Sequence, residues 1–442
     1  MKEQLSNYID SYKNEMLSKL SEFIAIPSES DNPEELSKAI DFILKLSDSL
    51  GLSAQTYCEN QVVVIEIGDG DETLGILSHL DVVPAGDLEL WDTPPYEAII
   101  KDGKIFGRGT LDDKGMIIAS LYAMKSVLDL GTPLYKKVQL ILGTQEEVEW
   151  TDMDAFVVNH KLPDYGFSPD GEYPICNIEK GCIDYTLEFD IADNYDALHI
   201  TSIVCGEAQN SVPGKATATL SDGTEIVALG KTVHSCQPER GYNALFNLYS
   251  KLASIEVAEN KLMKLLKEIT AKFSSIYGKE LGLYSESEYY QGEYVHRNTF
   301  SPTIFIAQDG KAMLNINCRF PYGESEDTLL ESIKNFATQN GGNVIDVYAM
   351  PAVFVSKEKP FLKICEKAYE EVTGLENQYT LAYGGSYAKA MPNIVSWGPI
   401  FLGEEDTCHE ANEYISIDSL LKNTEIFANV IAEIALSSES FK

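Results

Sequence analysis

Apolar residues recur at roughly helical spacing from Leu5 through Ile9, Met16, Leu20, Phe23 and Ile24, which predicts a helix over residues 5–25. A second helix is expected to open at Asn32-Pro33, a cap residue followed by proline at the first helical position, and to stop at Gly51. Three apolar runs then follow that are too short for helices: Val62–Ile67, Leu74–Ser78 and Val138–Leu142. Between the last two, Asp113–Leu130 reads as a helix. Strand and helix in alternation predict an α/β domain, in which ligands sit beyond the carboxyl ends of the strands.

Near Lys180 the pattern changes. Alternating segments appear at Asp184–Ile191, Ala216–Leu220, Ile226–Lys231, Thr303–Ala307 and Met313–Phe320, with helices expected near 240–254 and 326–340. That is an α+β texture without repeated crossovers. The α/β texture resumes near 357, with a helix over 358–372, a turn at Gly384-Gly385, a short strand at Ile394–Trp397 and a last helix from Ile417 to Leu436. The expected organisation is an α/β domain in two parts, 1–180 and 357–442, interrupted by an α+β domain over 181–356.

Composition narrows the partners. The chain has 442 residues, too many for one ordinary core, with 44% hydrophobic and 23% charged residues, as in soluble globular proteins. Sixty-nine acidic against 34 basic residues leave a formal charge of −35, which argues against nucleic acid and against an anionic membrane surface. The opening residues are charged and lack the apolar core of a signal peptide, and no stretch approaches a membrane span. Eight scattered cysteines without a C-x-x-C pair read as reduced thiols, so a cytoplasmic location is expected.

The candidate chemistry lies at predicted strand ends and helix starts. His79 and Asp81 fall in HLDVVPAG, Asp112 in GRGTLDDKG, Glu146 and Glu147 in GTQEEVEW, Asp170 in SPDGEYP, and His409 in HEANEY. Each has an ordinary explanation by itself: a turn, a helix start, an exposed acidic pair. Together they offer two imidazoles and enough carboxylates for two neighbouring zinc ions. Two dications ~3.5–4 Å apart repel by on the order of 20 kcal/mol at an effective dielectric of 20, so such a pair requires anionic ligands. Asp112, Glu147, Asp170 and one hydroxide would balance the charge. Asp81, two residues from His79, is expected to accept the second ring N–H of that histidine, and Asp113 to cap the following helix. Adjacent Glu146 and Glu147 point in different directions, so one can ligate while the other takes a proton from water.

This ordered series resembles the cocatalytic di-zinc amidohydrolase family of aminoacylases, carboxypeptidases, desuccinylases and dipeptidases, and within it the monomeric bacterial Xaa-His (carnosinase-like) dipeptidases. The resemblance runs over nearly the whole chain. It implies a zinc-peptidase catalytic domain with an inserted lid of two ferredoxin-like units. His79 and Asp170 would hold one Zn²⁺ and Glu147 and His409 the other, with Asp112 bridging. Asp81 would stand behind His79, and Glu146 would act as general base toward a hydroxide shared by the metals. Mn²⁺ or Co²⁺ could replace zinc. Gln145 stands where many members have an acidic residue.

In the inserted domain, GKTVHSCQPERGYNA resembles the family's lid motif, which would make His234 a donor to the developing oxyanion. Asn210, Arg319, Gly384, Gly385 and Ser386 resemble positions that hold the substrate's carboxylate, a task suited to a guanidinium fork and to backbone N–H groups. The length of the insert resembles that of monomeric members, so a monomer is expected. The function implied is hydrolysis of a small unmodified dipeptide. Deacylation or desuccinylation of N-acyl amino acids is the alternative within the family, and an inactive peptide-binding scaffold is the alternative outside catalysis.

Overall fold

The computed structural model describes residues 1–442. The chain divides into two compact units: residues 1–177, 354–380 and 386–442 form one, and 178–353 with 381–385 form the other.

In chain order, the first part contains helices α1 (Lys2–Ile24), α2 (Pro33–Ser49), α3 (Lys114–Leu128) and α4 (Thr151–Asn159). Its strands are β1 (Ser53–Tyr57), β2 (Val62–Ile67), β3 (Thr73–His79), β4 (Ile99–Lys101), β5 (Lys104–Phe106), β6 (Lys137–Gly143), β7 (Tyr165–Ser168) and β8 (Ile175–Glu179). The second part runs through β9 (Gly181–Asp190), β10 (Ile200–Cys205), β11 (Lys215–Leu220), β12 (Glu225–Leu229), α5 (Ala244–Leu252), α6 (Lys261–Phe273), β13 (Tyr289–Tyr290) and β14 (Glu293–Tyr294). It continues with β15 (Thr299–Gln308), β16 (Lys311–Phe320), α7 (Glu326–Gln339) and β17 (Gly342–Met350). The chain closes with β18 (Val353–Phe354), α8 (Pro360–Thr373), β19 (Tyr379–Ala382), β20 (Ile394–Ser396), β21 (Tyr414–Ser416) and α9 (Ile417–Ala435).

The first unit is built on a mixed sheet in the order β1-β2-β6-β3-β7-β20-β8-β18. Its centre is parallel: β3 lies between β6 and β7, and β7 pairs with β20. Every residue of β3 is buried, as expected for a strand covered on both faces. Helix α3 is apolar nearly all round (Met116, Ile117, Ile118, Leu121, Met124 and Val127 are buried) and packs against α1 and α9. Asn32 caps α2 as its sequence predicts, its Oδ1 accepting from the Glu35 N–H at 3.3 Å.

This topology places the chemistry. His79 ends β3 and stands in register with Gly143, the end of β6. Glu146 and Glu147 follow β6, and Asp170 follows β7. Three adjacent parallel strands therefore deliver candidate ligands at their carboxyl ends.

The second unit is a wholly antiparallel sheet in the order β12-β11-β10-β15-β16-β9-β17. Strands β9, β15, β16 and β17, taken as first to fourth, have the ferredoxin-like order four-one-three-two, and β10, β11 and β12 extend the same sheet. Its core gathers one sheet face (Tyr185, Leu187, Phe305, Leu314, Ile316) with apolar residues of α5, α6 and α7. Helix α6 is absent from the expected elements, although Leu262, Leu265, Leu266, Ile269 and Phe273 recur at helical spacing and are buried.

Gly166 pairs with Gly75 across β7 and β3, and a Cβ on Gly166 would fall 1.9 Å from the Gly75 carbonyl oxygen. Gly166→Ala should therefore force apart the strand that carries His79 and cost about 1–3 kcal/mol. A urea-denaturation midpoint equal to wild type would contradict this.

Candidate active site

The six metal-region positions and Asp81 all lie in the first unit, and the fold draws them together. His79 is fully buried, and its Nε2 lies 2.9 Å from Asp112 Oδ1. The other carboxylate oxygen, Asp112 Oδ2, is 3.1 Å from His409 Nε2, which is also 3.0 Å from Glu147 Oε2. One carboxylate thus turns its two oxygens toward two different imidazoles. Ligand atoms of His79, Asp112 and Glu147 lie within 4.8 Å of one another, as do those of His79, Glu146 and Asp170. Glu146 is therefore close enough to ligate as well as to accept a proton.

Asp81 does more than the sequence suggests. The nearest acceptor for His79 Nδ1 is the Asp81 backbone carbonyl at 2.9 Å, with the carboxylate Oδ1 at 3.4 Å. The carboxylate accepts the Glu146 N–H through Oδ1 and the Glu147 N–H through Oδ2, both at 3.2 Å, and Ser30 Oγ donates to Oδ2 at 2.7 Å. The preceding two amides are claimed by a second buried carboxylate. Asp152 Oδ2 accepts from Thr144 N at 2.6 Å, Gln145 N at 3.1 Å and Tyr387 Oη at 2.6 Å. Four consecutive N–H groups, 144–147, are thereby satisfied by two side chains, which fixes the turn bearing both glutamates. Gly143 leaves the necessary room, since a Cβ there would meet Tyr387 Oη at 2.2 Å and Asp152 Oδ2 at 2.3 Å. Asp152 and Tyr387 were not among the expected site residues, because nothing in their spacing marks them. Gln145 turns away from the cluster, its Nε2 donating to the Ser30 carbonyl at 3.0 Å.

Asp113 corrects an expectation. It occupies the position before α3 but caps nothing with its side chain. The carboxylate instead turns inward to accept from Ser78 Oγ and from the His79 N–H at 3.4 Å. Burial and the Asp112 carboxylate push the Cys408 thiol up, holding its proton while no cation is near.

Electrostatics test whether this set suits cations. Burial and neighbouring Asp170 raise Glu146 well above the carboxylate range; burial and Asp112 raise Glu147 and push Asp170 up to about 8. Burial opposes charge on His79, yet hydrogen bonds to Asp112 and Asp81 carry it well above its ordinary value. Hydrogen bonds to Asp112 and Glu147 push His409 up to about 11. Without metal the cluster must therefore hold protons to relieve its own repulsion. Imidazole nitrogens and carboxylate oxygens are ordinary donors to zinc, and divalent cations would replace those protons. The residues fit a metal pair.

Five of the residues expected to meet substrate, His234, Asn210, Arg319, Gly384 and Gly385, lie in the second unit. The chain at His234 runs beside that at Asn210: Ser235 N donates to the Asn210 carbonyl at 2.8 Å, and Ser211 bridges to His234. His234 Nδ1 accepts from the Cys236 N–H at 3.1 Å. A neutral ring must then carry its proton on Nε2, and burial and nearby Arg319 do favour the neutral form. Arg319 is buried, its Nε donating to Asn317 Oδ1 at 3.3 Å and its Nη1 to the Tyr383 carbonyl at 3.0 Å, just before Gly384. Ser386 belongs to the first unit, where its Oγ accepts from Ala388 N at 3.3 Å.

Comparison with known proteins identifies the family and the fold. The sequence profile of peptidase family M20/M25/M40 matches residues 75–433. The chain belongs to that family. It is a metallopeptidase with a catalytic α/β domain and an inserted lid domain. The Bacillus subtilis (strain 168) protein named "Putative dipeptidase YtjP" is 30% identical, over 96% of this chain and 98% of its own. A Staphylococcus aureus (strain MRSA252) relative, "Putative dipeptidase SAR1836", is 28% identical over 96% and 97%. Among solved structures, aminoacylhistidine dipeptidase from Vibrio alginolyticus superposes with a TM-score of 0.67 at 14% identity, covering 95% of this chain and 96% of that one. The metallo-carboxypeptidase Sso-CP2 from Sulfolobus solfataricus gives 0.64 at 21% identity, covering 95% and 99%. These two likenesses concern the fold. No helix is long and apolar enough to cross a membrane.

The proton-laden cluster sets a pH dependence. Asp170, at about 8 when folded against 3.8 ordinarily, holds a proton that the unfolded chain has lost, so stability falls as pH rises across that interval. His409, raised from 6.5 to about 11, contributes stability below its ordinary value that is lost as pH climbs toward 11. Both have one sign. Chelator-treated protein should lose Tm between about pH 6 and pH 9, while the Tm gained on adding Zn²⁺ should grow over the same range. A metal-free Tm that rises with pH would contradict this.

Proposed function

We propose that this chain is a metal-dependent dipeptidase that hydrolyses unmodified dipeptides, with two Zn²⁺ (or Mn²⁺ or Co²⁺) at the His79–His409 cluster. The observation that carries the reading is the split carboxylate of Asp112, whose oxygens lie 2.9 Å from His79 and 3.1 Å from His409 within a ring of further carboxylates. His79 and Asp170 would hold one cation, Glu147 and His409 the other, and Asp112 both. When bound, such a pair supplies Lewis acidity for the scissile carbonyl and acidifies a water.

Glu146 is the general base. Its raised affinity for protons suits it to take one from the attacking water and return it to the leaving amine. Asp81 and Asp152 hold the turn on which it sits. His234, neutral with its proton on Nε2, donates to the developing oxyanion; one such donor is typically worth ~3–4 kcal/mol in the transition state. Arg319, Asn210 and the 384–386 turn hold the free carboxylate, which limits the substrate to two residues. A Cβ at Gly384 would meet nothing within 4 Å.

The bacterial relatives named as dipeptidases support this substrate class over N-acyl amino acids. A panel of free dipeptides against N-acetyl and N-succinyl amino acids separates the two; faster turnover of the acylated set would shift the assignment. Glu146→Gln should keep both metals and lose about 10²–10⁴ in kcat. Near-normal turnover by a metal-replete Glu146→Gln protein would remove the mechanism. The chain is proposed to act as a monomer, with His234 serving its own active site. Mixing His234→Ala with Glu146→Ala chains should then restore no activity, whereas recovery on mixing would show a shared site.

A further inference from the structure

Glu413 lies four residues beyond His409 and is fully buried. Its Oε2 accepts from Arg108 Nη1 at 2.7 Å and Gly109 N at 3.0 Å; its Oε1 accepts from Leu111 N at 2.9 Å and Asp112 N at 3.2 Å. Its own backbone carbonyl accepts from Gly107 N at 2.9 Å. Immediately outside this clasp, β21 pairs with β5 in the register Tyr414↔Phe106, so the two segments are joined by strand pairing on one side and by a single carboxylate on the other.

Three of these donors are backbone N–H groups of the loop that ends in Asp112. Buried N–H groups require an acceptor. Without the Glu413 carboxylate, the N–H groups of Gly109, Leu111 and Asp112 lose the acceptors that tie this loop to the segment carrying His409. His409 depends on the same clasp for a different reason. It sits on an exposed turn with φ 64° and a side chain 56% exposed, so little packing of its own restrains it. Its distance from Asp112 is set largely by where the chain is anchored at Glu413.

We infer that Glu413 is a positioning residue that preforms the His409 half of the metal site and thereby governs the affinity for the second cation. This rests on the proposed two-metal reading. Removing an outer partner of a metal ligand typically weakens binding by about 10–100-fold. The test is titration of chelator-stripped full-length protein with Co²⁺, read by visible absorption and by competition with a chelator.

Wild type should take up two equivalents. E413Q should bind the first within about three-fold of wild type and the second at least ten-fold more weakly, with loss of the second equivalent's absorption. Arg108→Met removes the buried guanidinium but leaves Glu413 on its three backbone N–H groups, so its second equivalent should stay near wild-type affinity. If E413Q does not fold, E413D serves, because the shorter side chain cannot reach both Gly109 and Leu111–Asp112. Unchanged binding of both equivalents in E413Q or E413D would overturn the inference, as would an Arg108→Met protein as impaired as E413Q. A wild type that binds fewer than two equivalents would instead remove the two-metal reading itself, and the inference with it.

Discussion

Mutual repulsion among buried carboxylates is the constraint on which the rest of this structure depends. Asp81, Asp112, Asp113, Glu413 and their neighbours Glu146, Glu147 and Asp170 occupy one region of the first unit, and most are withdrawn from water. The buried cations nearby are Arg108 and Lys114. Arg108 is paired with Glu413, while Lys114 donates to the carbonyls of Phe23 and Ile26 and is lowered by burial to about 7. Burying charges without compensation is costly, so this arrangement requires protons or metal ions. The same excess that makes this charge costly to bury would favour dications in place of the protons.

The carboxylates fall into two roles. An inner group, Asp112, Glu146, Glu147 and Asp170, presents oxygens to the imidazoles of His79 and His409. An outer group, Asp81, Asp152 and Glu413, spends its oxygens on backbone N–H groups of the turns that carry the inner ones. Short turns beyond parallel strands leave amides without ladder partners, and a buried carboxylate can satisfy two or three at once. The outer group thus converts flexible turns into a rigid frame, and rigidity at this scale is what separates a reactive geometry from a collection of acidic residues.

Much of this was legible in the chain. Strand–helix alternation and the strand-end positions of His79 and Glu146 carried the α/β architecture, because period and length distinguish buried strands from helices; β7, which leads to Asp170, is too short to stand out. The outer frame was not legible. Asp152 and Glu413 are ordinary acidic residues in TDMD and ANEY until the fold shows which amides they face, and Asp113 follows cap-like spacing yet points into the core. Asp81 was placed behind His79, but its carboxylate is chiefly committed to a turn 65 residues away in sequence. Such pairings depend on tertiary register, which local pattern does not encode. In the second unit, β10 and β17 were likewise unforeseen, β17 being half exposed and without a clear apolar face.

The most direct measurement is a crystal structure of the zinc-reconstituted protein with anomalous data collected on both sides of the zinc absorption edge. Two zinc peaks are expected, one on each side of the Asp112 carboxylate, with His79 beside one and His409 beside the other. A single peak, or peaks that Asp112 does not share, would contradict it.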